Sequence, residues 1–197
     1  MPVLTYFKDA EDSRDYQYRA KVLFGPSRVK RVRAIMRTLP VVDYTKYLSP
    51  VKNQGNLGSC VGFAVTALKE FQENVEYSLE REGGSNYVRE KSTYDLSEQW
   101  TYWNAKKIDP WGPEIEGTSI RYALKVLNKI GCPPEEGWSY TDDKINIGKP
   151  KSWTHLIARW NTINSYWRLR SLHAILSALE QTGPIVAGVG CYEEIFK

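Results

Sequence analysis

A loop punctuated by two glycines runs straight into an apolar-periodic segment, with one cysteine at the junction: Pro50-Val51-Lys52-Asn53-Gln54-Gly55-Asn56-Leu57-Gly58-Ser59-Cys60-Val61-Gly62-Phe63-Ala64. This junction constrains the fold more than any other stretch, because the chain must turn at the glycines and then begin a helix at once. A cysteine at a helix start meets backbone N–H groups that lack an intrahelical acceptor. Those groups and the helix dipole favour the thiolate. Upstream, the Gln54 side-chain amide suits donation to an oxyanion forming beside the thiol. The same residues also suit a buried, inert cysteine in a loop that leads into a helix.

After Cys60 the apolar residues Ala64, Ala67, Leu68, Phe71, Val75 and Leu79 recur at helical spacing. They predict a helix packed along one side, with Glu70, Glu73, Glu76 and Glu80 on other faces, ending at Gly83-Gly84-Ser85-Asn86. Ser97 is the expected N-cap of a second helix. A third helix follows Thr118 or Ser119, with Ile120, Ala123, Leu124, Leu127 and Ile130 as its buried stripe and Gly131 as its stop. Trp153, Trp160 and Trp167 recur at sevens, which predicts core or inter-lobe packing rather than a cofactor box. Leu172, Ile175, Leu176 and Leu179 predict a short amphipathic helix closed by Gly183-Pro184. Ile185-Val186-Ala187-Gly188-Val189 then reads as a buried strand.

At 197 residues the chain allows one domain or two small lobes, and a chain of this size buries about 70% of its unfolded surface. The formal charge of +4 is mild. Arg28, Lys30, Arg31, Arg33 and Arg37 alternate with apolar residues, a pattern read as a solvated face rather than a nucleic-acid strip. Three widely spaced cysteines, Cys60, Cys132 and Cys191, and two histidines, His155 and His173, argue against a zinc site. A Cys132–Cys191 disulfide and a reducing compartment both stay open. No cofactor is expected. Neither a signal peptide nor an apolar run of membrane-spanning length, about 20 residues, is read in the sequence, so a cytoplasmic protein without membrane or nucleic-acid partners is expected.

The Pro50–Ala64 string resembles the nucleophile stretch of the papain-like cysteine peptidases, Pro-Val-Lys-x-Gln-Gly-x-x-Gly-Ser-Cys-x-x-Phe-Ala. Leu57 stands where most secreted members carry a disulfide cysteine, and Val61 where papain-type enzymes carry tryptophan. Both departures are similar to the prokaryotic branch. Further along, Leu96-Ser97-Glu98-Gln99 resembles a tetrapeptide that follows the nucleophile helix in the family. Gly117 matches the second glycine of a substrate-binding Gly-Gly, while Glu116 replaces the first. A carboxylate at that place either crowds the cleft, biasing it toward basic peptides, or points to solvent. Gly137-Trp138-Ser139-Tyr140 is similar to the aromatic-Pro-Tyr segment, with packing as its expected role.

The resemblance implies an α+β, papain-like fold: a helical lobe with the nucleophile helix, plus the start of a β-rich second lobe. Residues 1–39 would be an N-terminal extension and 40–197 the peptidase domain. It also implies Cys60 as nucleophile, Gln54 as oxyanion donor, Gly117 as a substrate-binding position and a peptide or protein as substrate. In such enzymes the catalytic His and Asn lie about 130 to 150 residues beyond the nucleophile. Counted from Cys60 that window opens near Cys191, and neither residue type follows. The expectation is an incomplete catalytic domain. The competing reading is a non-catalytic peptide-binding module, or a cleft completed by another chain, with self-association through an open sheet edge.

Overall fold

The computed structural model describes residues 7–13, 15–17, 42–82 and 94–189, with side chains described to residue 76 in the first long helix. The basic residues 28–37, Leu79, Gly83-Gly84-Ser85-Asn86 and Cys191 lie outside the described residues. Chain contacts define two units. One takes the described parts of Met1–Ala10, Leu48–Asn164 and Val186–Lys197; the other takes those of Glu11–Tyr47 and Ser165–Ile185.

The first unit is built on three helices that pack on one another: α1 (Cys60–Glu82), α2 (Glu98–Ile108) and α3 (Ile120–Lys129). Ser97 caps α2 as expected, its hydroxyl accepting from Trp100 N at 3.0 Å. Ser119 occupies the N-cap position of α3 but makes no side-chain cap. Its hydroxyl instead donates to Asp9, whose carboxylate also accepts from Arg121 N at 3.2 Å, so the acid caps α3 from outside the helix.

The core between the helices is apolar and aromatic. Val65, Leu96, Trp100, Ala123 and Leu127 are buried in one cluster with Trp138, and each large aliphatic side chain so placed contributes roughly 1.5–3 kcal/mol. Trp100 donates from Nε1 to Gly131 O at 3.0 Å, which satisfies its polar handle within the core. Gly131 stops α3 with φ +75°, and a β-carbon there would stand 1.8 Å from Ala158 O in α4 (Thr154–Ala158). Conformation and space both demand glycine at this position.

Glu70, placed on a face other than the apolar stripe, is itself buried at 1% exposure, because Lys52 and the Leu96 N–H reach it from outside the helix. Ala64 and Ala67, assigned to the apolar stripe, are exposed, and the buried face runs through Val61, Val65, Lys69 and Phe71. The tryptophans at sevens form no packed stripe: Trp160 is 78% and Trp167 54% exposed. Trp153 precedes α4, Trp160 sits in the 3-10 turn Arg159–Asn161 and Trp167 lies outside any helix, so no single helix carries them on one face.

Residues 185–189 are not assigned to a strand, and residues 187–189 are exposed, Val189 at 72%. Strand pairing among the described residues is limited to isolated bridges, Gln17 with Arg168 and Leu96 with Pro134. The Cys132 thiol is likewise not in a disulfide; it is fully buried beside Ser97 O at 3.4 Å.

The second unit holds α5 (Leu172–Gln181), capped by Ser171 Oγ accepting from Ala174 N at 3.1 Å. Asp43 accepts from Thr45 N and Thr45 Oγ1 at the start of the 3-10 turn Thr45–Tyr47, and the Tyr44 phenol donates to Leu179 O. No helix of the described residues is long and apolar enough to cross a membrane.

Candidate active site

Cys60 is the first residue of α1, and Phe63 N donates to Ser59 O at 3.2 Å as the first helical bond. The N–H groups of Cys60, Val61 and Gly62 therefore fall in the first turn, where intrahelical acceptors do not reach. Cys60 is partly buried and is not in a disulfide. Gln54 folds over the intervening loop, its Nε2 donating to Leu57 O at 3.0 Å. That bond uses one amide hydrogen and leaves the other.

The loop between Gln54 and Cys60 is held from outside by side chains of two later segments. Glu116 Oε2 accepts from Gly58 N at 2.9 Å, and Asp142 Oδ2 accepts from Asn56 N at 3.0 Å. Gly55 turns with φ +61°, and a β-carbon there would lie 2.2 Å from Asp142 Oδ2, so the close approach of that carboxylate needs glycine. The Tyr140 phenol donates to Gln54 O at 2.7 Å and lies 2.6 Å from Ser59 Oγ. Glu116 thus neither blocks a cleft nor hangs in solvent: it is spent on the loop and on an ion pair with Lys144.

Gly117 is buried, and both of its backbone groups are engaged within the unit. Its N–H donates to Tyr102 Oη at 3.3 Å and its carbonyl accepts from Lys106 Nζ at 2.9 Å. Lys106 is itself paired with Asp109 at 2.9 Å, both side chains being fully buried. Burial pushes the Tyr102 phenol up to about 12 despite its bond to Gly117, so it remains neutral. Gly117 is therefore fixed in place by α2, with a second lone pair left on its carbonyl.

Lys52, upstream of Gln54, anchors the other end of the loop. Its ammonium lies 2.9 Å from Glu70, 2.7 Å from Glu98 and 2.6 Å from Asp95. Burial opposes the charge on Lys52, but hydrogen bonds to Asp95, Glu70 and Glu98 outweigh it and raise its pKa. Glu98 is also raised, because desolvation exceeds the pull of Lys52. A cavity of about 360 Å³ opens here, lined by Lys52, Asp95, Glu98 and Glu135 with Phe63 and Tyr140. Glu135 is pushed up to about 7, first by burial and then by the charges of Glu98 and Asp95.

The structure brings Cys60, Gln54 and Gly117 into one unit, while His155 packs its ring against Trp100 at 4.7 Å between centroids. His173 lies on α5 in the other unit. Sequence reading missed Tyr140, Asp142 and the Lys52 cluster as parts of the site. Lys52 and Glu98 stood within quoted motifs, which was the available signal. Nothing in local sequence marked Asp142. Among the described residues no group of His, Cys, Asp and Glu could hold a metal ion.

The fold is that of the papain-like cysteine proteases. Its backbone overlays on xylellain, a cysteine protease from Xylella fastidiosa, with a TM-score of 0.64 over 88% of this chain and 61% of that one, at 24% identity. The chain is also 24% identical over 156 residues to an uncharacterized peptidase C1-like protein of Acanthamoeba polyphaga mimivirus, covering 74% of this chain. That match spans 45% of the viral protein, so the chain covers about half the length of this curated relative. No protein-family model matches the chain.

Proposed function

We propose that this chain is the nucleophile-bearing part of a cysteine-type peptidase, with residues 40–197 as peptidase domain and 1–39 as an extension. The observation that carries the reading is the placement of Cys60 as first residue of α1, behind a loop braced on Lys52, Tyr140, Asp142 and Glu116. In the proposed reaction the Cys60 thiolate attacks a peptide carbonyl carbon. The oxyanion accepts hydrogen bonds from the Cys60 N–H and the free amide hydrogen of Gln54. A histidine other than His155 and His173 serves as base, protonates the leaving amine and then activates the water that hydrolyses the thioester. The backbone at Gly117 receives the extended peptide through the remaining lone pair of its carbonyl.

The test is labelling of the full-length protein with a thiol-directed peptidyl epoxysuccinate, followed by peptide mass mapping. A single adduct on Cys60, lost in Cys60→Ser together with peptide cleavage, is the expected result. A full-length protein that neither cleaves peptides nor takes the label at Cys60 sinks the reading.

A further inference from the structure

Tyr140 sits in a segment whose expected role was packing, yet its hydroxyl is turned onto the nucleophile loop. The phenol has one hydrogen, and the Gln54 carbonyl, 2.7 Å away, can only accept. Tyr140 therefore donates to Gln54 O and accepts from Ser59 Oγ at 2.6 Å. Ser59 Oγ reaches two acceptors, Tyr140 Oη at 2.6 Å and Leu57 O at 3.4 Å, and the much shorter contact orders the chain as Ser59 hydroxyl to Tyr140 hydroxyl to Gln54 carbonyl. Each bond polarises the next, which strengthens the pair. One end of the relay is the residue before the thiol, and the other is the residue that carries the oxyanion amide.

The phenol is itself held by groups outside the loop. Its ring meets Phe63, in the first turn of α1, edge to face at 4.7 Å. Its backbone N–H donates to Glu135 Oε1 at 2.5 Å. The neighbouring Thr141 N donates to Gln99 Oε1 in α2 at 3.4 Å, and Trp138 Nε1 donates to Ile147 O at 2.7 Å. The position of the hydroxyl is thus set before any substrate arrives. Burial raises the phenol's pKa, against the pull of the Ser59 bond, which keeps it a neutral donor.

The geometry points to Tyr140 as a positioning residue for the nucleophile, one that fixes the distance between the Gln54 amide and the Cys60 thiol by bridging Gln54 O and Ser59 Oγ. The role rests on the peptidase reading above. It predicts an effect on the chemical step more than on substrate binding, because both hydrogen bonds of the phenol go to the loop that leads to Cys60.

The experiment compares wild-type full-length protein with Tyr140→Phe, Ser59→Ala and the double variant. Tyr140→Phe keeps the ring on Phe63 and removes only the hydroxyl. Expected are a kcat lower by about tenfold or more with KM nearly unchanged, and a Cys60 alkylation profile with iodoacetamide displaced toward higher pH. Ser59→Ala moves both readouts the same way by less. The double variant is no worse than Tyr140→Phe alone, since both act through one relay. Unchanged kcat and an unchanged alkylation profile in Tyr140→Phe overturn the proposal, as does full additivity in the double variant. If Tyr140→Phe fails to fold, Ser59→Ala decides by the same readouts. A wild-type protein without peptidase activity defeats the functional reading, and the alkylation profiles then still decide the role of Tyr140.

Discussion

Lys52 Nζ lies 2.9 Å from Glu70 Oε1, an ion pair whose carboxylate is 1% exposed and belongs to the middle of α1. The same ammonium reaches Glu98 in the first turn of α2, so one cation ties the loop before Cys60 to both helices. Replacing Lys52 with Met leaves two buried acids unpaired. The loss should be on the order of 3–5 kcal/mol, measured by urea unfolding. Glu98 is already raised by burial, and without Lys52 it rises further. The deficit should therefore shrink as pH falls and the carboxyls protonate, and grow as pH rises.

Glu135 gives a second pH-dependent prediction. Its folded pKa is about 7 against a reference of 4.5. The folded state thus holds the proton more tightly than the unfolded state. Its contribution is most favourable below 4.5, declines between 4.5 and about 7, and is constant above that. Glu135→Gln keeps an acceptor for Tyr140 N and cannot ionise. Unfolding curves at about pH 5 and about pH 8 should show the difference between variant and wild type moving in the variant's favour at the higher pH. Equal differences at both values would exclude the buried carboxyl as the cause.

Gly131→Ala should cost about 3 kcal/mol, combining left-handed strain with a forced shift of the Ala158 carbonyl. The measurement is the chemical denaturation midpoint. Gly112 serves as control: it has positive φ, but a β-carbon added there would meet nothing within 4 Å, so the same change should cost less.

Cys132 should resist alkylation in the folded protein. Its thiol is fully buried, and desolvation raises it to about 12. Mass mapping after brief iodoacetamide treatment should find the Cys132 peptide unmodified, becoming labelled once denaturant is added. Rapid labelling under native conditions would contradict the packing of α2 against the Cys132 segment.

The helices were legible in the sequence because their signals are local. Ser97 before an apolar-periodic run and Gly131 after one mark where α2 begins and α3 stops, and both act through their own backbone neighbours. The cysteine at the helix start was legible for the same reason. The burial of Glu70 was not legible, because the partner that holds it inside, Lys52, is 18 residues away in sequence. Tyr140 and Asp142 each reach the loop across 86 residues. The tryptophan spacing misled because a seven-residue period has meaning only along one continuous helix. The apolar 185–189 run misled because apolar composition does not by itself bury a segment, and residues 187–189 are exposed.

The carboxylates around the loop also decide where negative charge can be accommodated. Gly55 N is taken by Asn53, Asn56 N by Asp142, Gly58 N by Glu116 and Ser59 N by Leu57 O. An anion approaching this face finds these four backbone donors already spent, two of them on acids that would repel it. The first turn of α1 follows directly after. The acids thus place negative charge against the loop, immediately before the positive end of the α1 dipole.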